Sequence, residues 1–178
     1  MTRRTSVSRV YFRVTMSKDA PSFEIPQDFP PDAKFGIVAA RFNADIVDEL
    51  LAGCLRRFEA MRIDVETRVE VRRVPGAFEL PVAAKAMART KRFVSVICLG
   101  CVVRGDTPHF DYVAGEAARG IQQVSIDEAL PIIFGVLTTE TFEQARDRTG
   151  GSHGHAGERA AEAAVEMVAT LRSIERRR

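Results

Sequence analysis

This sequence contains no tryptophan, two tyrosines and three cysteines among its 178 residues. It also lacks a long hydrophobic run, because the longest apolar stretch, Phe93 to Val103, has about half of the ~20 residues that a membrane-spanning helix needs. We therefore expect no transmembrane segment. The cysteines are odd in number and match no disulfide framework, which favours a reducing, cytoplasmic location.

The chain also has little net charge, and that charge is unevenly placed. Its 26 Lys and Arg residues and 24 Asp and Glu residues give a formal net charge of +2. Residues 1–18 carry five positive charges and no acid, so the rest of the chain carries −3. A nucleic-acid-binding protein needs a basic surface on its folded body to displace counterions from phosphates. The charge distribution therefore argues against nucleic acid as a partner.

The first 33 residues fit neither a secretory signal nor a helix. They lack the unbroken apolar segment of a signal peptide, and four prolines prevent a long helix, namely Pro21, Pro26, Pro30 and Pro31. We interpret residues 1–33 as a tail that is partly disordered. A transit peptide and a translation start at Met16 stay open as alternatives for its first part.

From residue 34 onwards, apolar runs alternate with stretches of helical periodicity. Runs rich in β-branched residues predict four strands, at Phe35–Ala39, Val65–Val74, Phe93–Leu99 and Ile132–Leu137. Apolar residues at helical spacing predict helices around Ile46–Phe58, Pro81–Met87, Tyr112–Ile126, Phe142–Arg148 and Glu158–Ser173. This order predicts one three-layer α/β/α domain over residues 34–178, with a parallel four-stranded sheet flanked by helices.

The segments that follow the predicted strands contain the residue types suited to a binding site. They are Arg41–Asn43, Pro75–Glu79, Gly100–Phe110 and Thr138–Glu140. Because ligands bind beyond the carboxyl ends of parallel strands, we expect these segments to meet at one edge of the sheet. Together they supply aromatic rings, a carboxylate, a Gly-Asp-Thr turn, a histidine and threonine hydroxyls, which suit a small-molecule site.

Two motifs near the end of the third strand suggest activities that we reject. Gly100–Thr107 nearly matches the phosphate loop of nucleotide hydrolases, but Asp106 stands where that loop needs a lysine. A smaller phosphate held by backbone N–H groups is compatible with Asp106, and Arg148 is a candidate for its counter-charge. Cys98 and Cys101 have the spacing of a redox pair, but on a strand this spacing puts them on opposite faces, with Cα atoms about 10 Å apart.

Three side chains at the strand ends are candidates for function. His109 follows a turn at a strand end, and an imidazole both donates and accepts a proton near neutral pH. Phe42 stands between two polar residues, which is an unusual setting for a buried ring. Glu79 has two interpretations, a carboxylate of the site or a charge that favours the start of a helix.

A glycine-rich segment, GGSHGHAG, separates the last two predicted helices and is interpreted as a break or kink. It contains His153 and His155, which lack a third ligand at metal-binding spacing. We interpret both as solvent-exposed or interface residues. Just before this segment, Thr141 and Gln144 have the spacing of a capping box for the preceding helix.

Longer segments of this sequence resemble the lumazine synthase family of riboflavin biosynthesis. They are RFN at 41–43, PGAFELP at 75–81, LGCVVRGDTPHFDYVAGEAARGI at 99–121, PIIFGVLTTET at 131–141 and EQARDR at 143–148. The resemblance covers the chain from about residue 34 to the C-terminus and implies a flavodoxin-like fold. The family joins 5-amino-6-ribitylaminouracil to 3,4-dihydroxy-2-butanone 4-phosphate, giving 6,7-dimethyl-8-ribityllumazine, phosphate and water in the penultimate step of the pathway.

The resemblance thus implies a transferase that acts on small molecules without a metal or an organic cofactor. It assigns His109 as the catalytic proton donor. The substrate-binding residues that it implies are Phe42, Asn43, Ala77, Phe78, Glu79, Cys101, Val102, Val103, Asp106, Thr107, Phe134 and Arg148.

Different members of this set have different implied roles. Phe42 would stack on the pyrimidine ring, and Ala77 to Glu79 would contact the ring and the ribityl chain. Cys101 to Val103 would offer backbone hydrogen bonds to the heterocycle. Phe134 would contribute a backbone contact from a neighbouring subunit. The phosphate would be held by a separate group, which is Asp106, Thr107 and Arg148.

The resemblance also implies an assembly. Members of the family form homopentamers, which in some of them stack into decamers or close into icosahedral shells of sixty subunits. GGSHGHAG lacks the lysines and the asparagine that many members carry there, but its length favours the shell. Riboflavin synthase is an implied protein partner, and the long tail could pair as an edge strand with a neighbouring subunit. The resemblance says nothing about residues 1–18.

Two other functions remain as alternatives. One is a binding or shell protein that keeps the lumazine pocket but has lost turnover. The other is a flavodoxin-like module that binds a flavin. The presence of Phe42, Glu79, His109 and Arg148 argues against both, because neither function needs the full set.

Overall fold

The computed structural model describes residues 23–26 and 29–176, which form a four-stranded parallel sheet between two layers of helices. The strands are β1 (Phe35–Ala40), β2 (Val69–Val74), β3 (Ser95–Val103) and β4 (Ile132–Thr139), in the order β2-β1-β3-β4. The helices are α1 (Ala44–Ala60), α2 (Val65–Arg68), α3 (Leu80–Arg89), α4 (His109–Glu128), α5 (Phe142–Asp147) and α6 (Ala156–Glu175), with a 3-10 turn at Ala77–Glu79. The predicted three-layer, flavodoxin-like α/β/α fold is confirmed.

The sheet separates two apolar layers, because successive side chains of a strand point to opposite faces. On β3, Ile97, Leu99 and Cys101 pack with residues of α1 and α6. Val96, Cys98 and Val102 pack on the other face with residues of α3 and α4. All residues of β3 except Val103 are buried, as its continuous apolar sequence predicts.

This alternation confirms that Cys98 and Cys101 are not a redox pair. Both thiols are free and buried, on opposite faces of the sheet. Burial raises the pKa of Cys98 to about 12 and that of Cys101 to about 11. Both sulfurs therefore stay protonated at neutral pH, where only a thiolate is reactive.

The predicted strand at Val65–Val74 is wrong in its first half. Residues Val65–Arg68 form the short helix α2, and β2 begins only at Val69. The reason is Asp64, whose carboxylate accepts hydrogen bonds from the Glu66 N–H at 3.0 Å and the Thr67 hydroxyl at 2.8 Å. This helix cap outweighs the β-branched composition of the segment.

The predicted end of the third strand is also wrong. Strand β3 continues through Gly100 to Val103, so Gly100 is a strand residue and not the first residue of a loop. A Cβ atom at position 100 would lie 3.1 Å from Leu80 Cδ1, so the glycine allows α3 to pack closely on the strand. The similarity of Gly100–Thr107 to a phosphate loop is therefore confined to sequence.

The break predicted at GGSHGHAG is an antiparallel hairpin, formed by β5 (Thr149–Gly151) and β6 (Gly154–His155). Gly150 and Gly154 have φ angles of 121° and 73°, which favour glycine. His153 is exposed, as predicted, but the prediction for His155 is wrong, because its side chain is buried against α1.

The capping box predicted for α5 is half formed. The Thr141 side chain accepts a hydrogen bond from the Gln144 N–H, but the Gln144 side chain accepts from the Glu140 N–H and not from the Thr141 N–H.

Part of the predicted tail contacts the core. Phe29 stacks on the buried ring of Phe35, with ring centroids 6.0 Å apart, and Ala33 is buried. The predictions for residues 1–22, disorder and an edge strand for a neighbour among them, lie outside the described residues. None of the helices in the described segments is long and apolar enough to cross a membrane.

Candidate active site

A cavity of about 660 Å³ opens at the carboxyl ends of β1, β2 and β3. Its lining residues are Phe42, Pro75, Gly76, Ala77, Phe78, Glu79, Cys101, Val102, Val103, Gly105, Thr107, His109, Phe110, Tyr112 and Val113. Nine of the thirteen predicted site residues are in this set. The other four, Asn43, Asp106, Phe134 and Arg148, lie outside it.

Aromatic rings dominate the exposed surface of this cavity. Phe42 is 69% exposed, Phe78 57% and Tyr112 71%, which is unusual for large apolar side chains in a folded domain. Phe42 is held in place by backbone bonds that extend the contact between β1 and β2, because its N–H donates to the Pro75 carbonyl at 3.0 Å. The cavity therefore presents exposed flat surfaces on which a planar ring can stack.

The segment Pro75–Glu79 forms a tight wall of the cavity. The half-buried Glu79 carboxylate accepts a hydrogen bond from the Gly76 N–H at 2.9 Å. Pro81 follows at the start of α3, where a proline is well tolerated. Both interpretations of Glu79 are thus compatible with its position, because the carboxylate both orders the turn and lines the cavity.

Asn43 lies beside the cavity and connects two strands. It has a left-handed backbone conformation, with φ 57° and ψ 46°, which asparagine tolerates better than most residues. Its side-chain amide donates to the Cys101 carbonyl at 2.9 Å. Asn43 therefore fixes the end of β1 against the end of β3, and Phe42 with it.

Arg104 fixes the loop between β3 and α4. Its guanidinium forms salt bridges with Glu140 at 2.8 Å and Asp111 at 3.2 Å, and it lies 4.2 Å from the centroid of the Phe110 ring. The two carboxylates, Glu140 more strongly, raise the pKa of this guanidinium further. Arg104 thereby links β4 to the start of α4, which carries His109.

The start of α4 offers a place for an anion. Its twenty-residue length gives a helix dipole whose positive end lies at His109, next to Thr107, and the Thr107 hydroxyl accepts from the His109 N–H at 3.4 Å. No lysine or arginine of residues 23–26 and 29–176 lines the cavity, and Arg104 is committed to its own partners. An anion bound here needs a cation from outside the cavity.

The fourth predicted strand end does not reach the cavity. Thr139 is buried, and its hydroxyl donates to the Thr141 carbonyl at 2.9 Å. Phe134 is 44% exposed on the edge strand β4, and Arg148 follows α5, where its guanidinium donates to the Gln144 carbonyl at 2.8 Å. Phe134 and Arg148 therefore lie outside the cavity of their own chain.

Sequence reasoning missed Tyr112 and Val113, which line the cavity from one helix, and it placed Phe110 in a candidate segment without naming it as a site residue. The predicted helix began at Tyr112, whereas α4 begins at His109. With the correct start, His109, Tyr112 and Val113 stand at positions i, i+3 and i+4 of one helix face. That spacing is the signal that predicts Tyr112 and Val113 from His109.

The family model described as 6,7-dimethyl-8-ribityllumazine synthase matches residues 32–172 of this sequence. The chain belongs to this family. The matched segment contains every residue that lines the cavity. Membership in the lumazine synthase family confirms the resemblance seen in the sequence and implies an enzyme of riboflavin biosynthesis.

Proposed function

We propose that this chain condenses 5-amino-6-ribitylaminouracil with 3,4-dihydroxy-2-butanone 4-phosphate to form 6,7-dimethyl-8-ribityllumazine. The observation that carries the proposal is the single cavity that unites Phe42, Glu79 and His109. These residues provide an exposed ring, a carboxylate and an imidazole, which suit a planar heterocycle, a polyol chain and a proton transfer.

The pyrimidine substrate is assigned to the aromatic side of the cavity. Its ring stacks on Phe42, and its ribityl hydroxyls reach the wall formed by Ala77, Phe78 and Glu79. The backbone of Cys101 to Val103 offers hydrogen bonds to the edge of the heterocycle. In this arrangement Asn43 acts indirectly, because its amide is used to hold the Cys101 carbonyl.

The phosphate of the second substrate is assigned to the start of α4, beside Asp106 and Thr107. Backbone N–H groups at a helix start favour an anion, and the missing cation is Arg148. An arginine binds a phosphate bidentately, which a lysine does not. Because Arg148 and Phe134 do not line the cavity of their own chain, we assign both to the site of a neighbouring copy.

This assignment requires an oligomer, and we propose a homopentamer as the unit. Decamers and shells of sixty subunits are further states of the same unit, and the short hairpin favours the shell. A cytoplasmic location and an association with riboflavin synthase belong to the same proposal, on the strength of the family.

The chemistry needs little more than positioning and proton transfer. The 5-amino group attacks the ketone, and loss of one water gives an imine. Elimination then breaks the C–O bond to phosphate, and the ribityl-bearing nitrogen closes the second ring with loss of another water. His109 shuttles protons between these steps, and holding the two substrates together lowers the barrier of the first one.

The test is to mix the purified protein with both substrates and follow the fluorescent lumazine above the uncatalysed background. Saturable formation that depends on both substrates is the expected result. Background formation only, with lumazine or flavin still bound, would contradict the proposal and favour a binding or shell protein.

A further inference from the structure

His155 is a buried polar residue that the proposed reaction does not use. Its side chain on β6 is 7% exposed, and neither ring nitrogen has a hydrogen-bond partner within the described part of the chain. Buried imidazoles usually find a partner, because a buried polar group without one is costly. An unpartnered ring at this position therefore calls for an explanation.

The ring packs directly on the backbone of α1. A Cβ atom at position 53 would overlap the His155 ring, so only the glycine at position 53 leaves room for it. Close by, the backbone of Gly157 at the start of α6 lies against the Leu50 carbonyl. His155 thus lies beside a close contact between α1 and α6, where its ring is buried from solvent.

The groups that face this ring are mixed in charge. Glu49 and Arg56 approach from α1, and Glu158 and Arg159 approach from α6. Arg56 and Glu158 form a salt bridge at 3.5 Å across the two helices. Because both signs are present, these charges offset one another, and burial is the main influence on the ring.

The hairpin that carries His155 also holds Arg148. His155 pairs with Thr149 across the hairpin, and the Ala156 N–H donates to the Arg148 carbonyl at 2.8 Å. The Arg148 N–H in turn donates to the Ala145 carbonyl at 3.1 Å. The backbone of Arg148 is therefore fixed by a hairpin whose buried anchor is His155.

We propose that His155 is a positioning residue whose neutral ring, packed on Gly53, fixes the hairpin and thereby Arg148, and whose protonation releases both. The part that concerns Arg148 and the phosphate rests on the proposed function. The part that concerns the hairpin does not.

The direction of the pH effect follows from burial. Desolvation lowers the pKa of His155 below its ordinary value of 6.5, and the attraction of Glu158 opposes this only in part. The unfolded or released ring then binds a proton more readily than the packed ring. The hairpin is therefore fully stabilised above about pH 6.5 and loses this stabilisation as the pH falls through the lower pKa of the folded state.

The test compares the unmodified protein with H155F, which keeps an aromatic ring but cannot be protonated, between pH 5 and pH 8. Hydrogen exchange measured by mass spectrometry on peptides covering residues 149–157 reports the hairpin, after correction for the intrinsic pH dependence of exchange. We expect exchange in the unmodified protein to be about 10-fold faster at pH 5 than at pH 8, and H155F to show no such change. H153F removes the exposed histidine of the same hairpin together with its ion pair to Asp147, so it separates that pair from His155, and we expect it to keep the faster exchange at pH 5.

The second readout is the KM for the butanone phosphate in the same three proteins. Ionisation of the substrate phosphate affects all of them equally, so the ratio between the unmodified protein and H155F isolates His155. We expect this ratio to rise about 10-fold from pH 8 to pH 5, with kcat changed less. A constant ratio would remove the link to Arg148.

If H155F fails to fold, a measurement on the unmodified protein alone still tests the proposal. Slow deuterium exchange at the Cε1–H of His155 gives its titration midpoint by mass spectrometry, which must coincide with the midpoint of hairpin exchange. Different midpoints, or equal pH profiles for H155F and the unmodified protein, overturn the proposal. An absence of lumazine formation at every pH would overturn the proposed function alone, because hairpin exchange is measured without substrate.

Discussion

The two ends of the parallel sheet carry cavities of similar size, about 660 Å³ at the carboxyl end and about 690 Å³ at the amino end, with different walls. The carboxyl-end cavity is lined by exposed aromatic rings, by Glu79 and by His109. Seven of the thirteen residues that line the amino-end cavity are charged, and among them Arg68, Glu70 and Arg92 already form side-chain hydrogen bonds within the chain. Arg92 donates to both carboxylate oxygens of Glu70, at 2.7 and 3.3 Å.

The comparison shows why cavity volume does not identify the site. At the amino end, the Glu70 carboxylate is already paired with Arg92 within the chain, so little is gained when a ligand replaces that contact. At the carboxyl end, the rings of Phe42 and Tyr112 are exposed, and the start of α4 offers its dipole to an anion. These exposed rings and this helix start, rather than the volume of the cavity, favour ligand binding at the carboxyl end.

The largest effect is expected from Arg148→Ala. This change removes the arginine that, in our proposal, a neighbouring copy supplies to the carboxyl-end cavity. The KM for the butanone phosphate should rise about 100-fold, equivalent to about 3 kcal/mol for a charged hydrogen bond. Binding of the pyrimidine substrate should change little. Steady-state kinetics with each substrate varied in turn measures both.

Arg146→Ala is the matched control, because Arg146 is an exposed arginine two residues before Arg148, on α5. It should leave both KM values unchanged, and size-exclusion chromatography should give the same assembly for both variants. Equal KM values for Arg148→Ala and the unmodified protein would contradict the phosphate role.

The second effect concerns the aromatic wall. Phe42→Ala removes a stacking surface and should weaken binding of the pyrimidine substrate about 30-fold, since stacking of a base on an aromatic ring contributes about 2 kcal/mol. Fluorescence titration with the product lumazine measures the loss directly. Phe142→Ala is the control, because Phe142 is 46% exposed but does not line the cavity. Equal losses in the two variants would show that stacking on Phe42 is not the cause.

A smaller effect is expected from His109→Ala. Acid–base residues typically contribute 10²–10⁴-fold, but here two bound substrates react once they are held together, so we expect a kcat loss of about 10-fold. His153→Ala removes a histidine outside the cavity together with its ion pair to Asp147, and it should leave kcat unchanged. An unaltered kcat in His109→Ala would remove His109 from proton transfer.

Much of the fold and of the carboxyl-end cavity is predictable from the sequence. Apolar runs and helical periodicity predict the order of strands and helices along the chain. Three of the four loops predicted to meet, those after β1, β2 and β3, line the cavity. The boundaries are less predictable, because local hydrogen bonds decide them. Asp64 caps a helix where the composition favours a strand, and α4 begins three residues before its predicted start.

The environment of His155 was beyond sequence reasoning for a different reason. Its burial depends on the approach of α1 to α6, and this approach depends on Gly53 and Gly157, which are about a hundred residues apart in the chain. Glycine is unfavourable in a helix, so the local sequence pattern does not predict why Gly53 and Gly157 stand in α1 and α6. Only the packed structure shows that they make room for another backbone or ring.

The smallest effect is expected at the amino end, from Glu70→Gln. Hydrogen bonds from Arg92, and then from Arg72, hold the pKa of Glu70 below its ordinary value of 4.5. The ionised carboxylate therefore stabilises the fold above that value, and this stabilisation is lost as the pH falls through the lower pKa of the folded state. Glu70→Gln should leave lumazine formation at neutral pH unchanged and should make the fall of Tm below pH 4.5 less steep than in the unmodified protein. Glu66→Gln, a change in the same cavity at a residue that does not bond Arg92, should keep the original slope. A loss of activity in Glu70→Gln would mean that the two ends of the sheet are not separate in function.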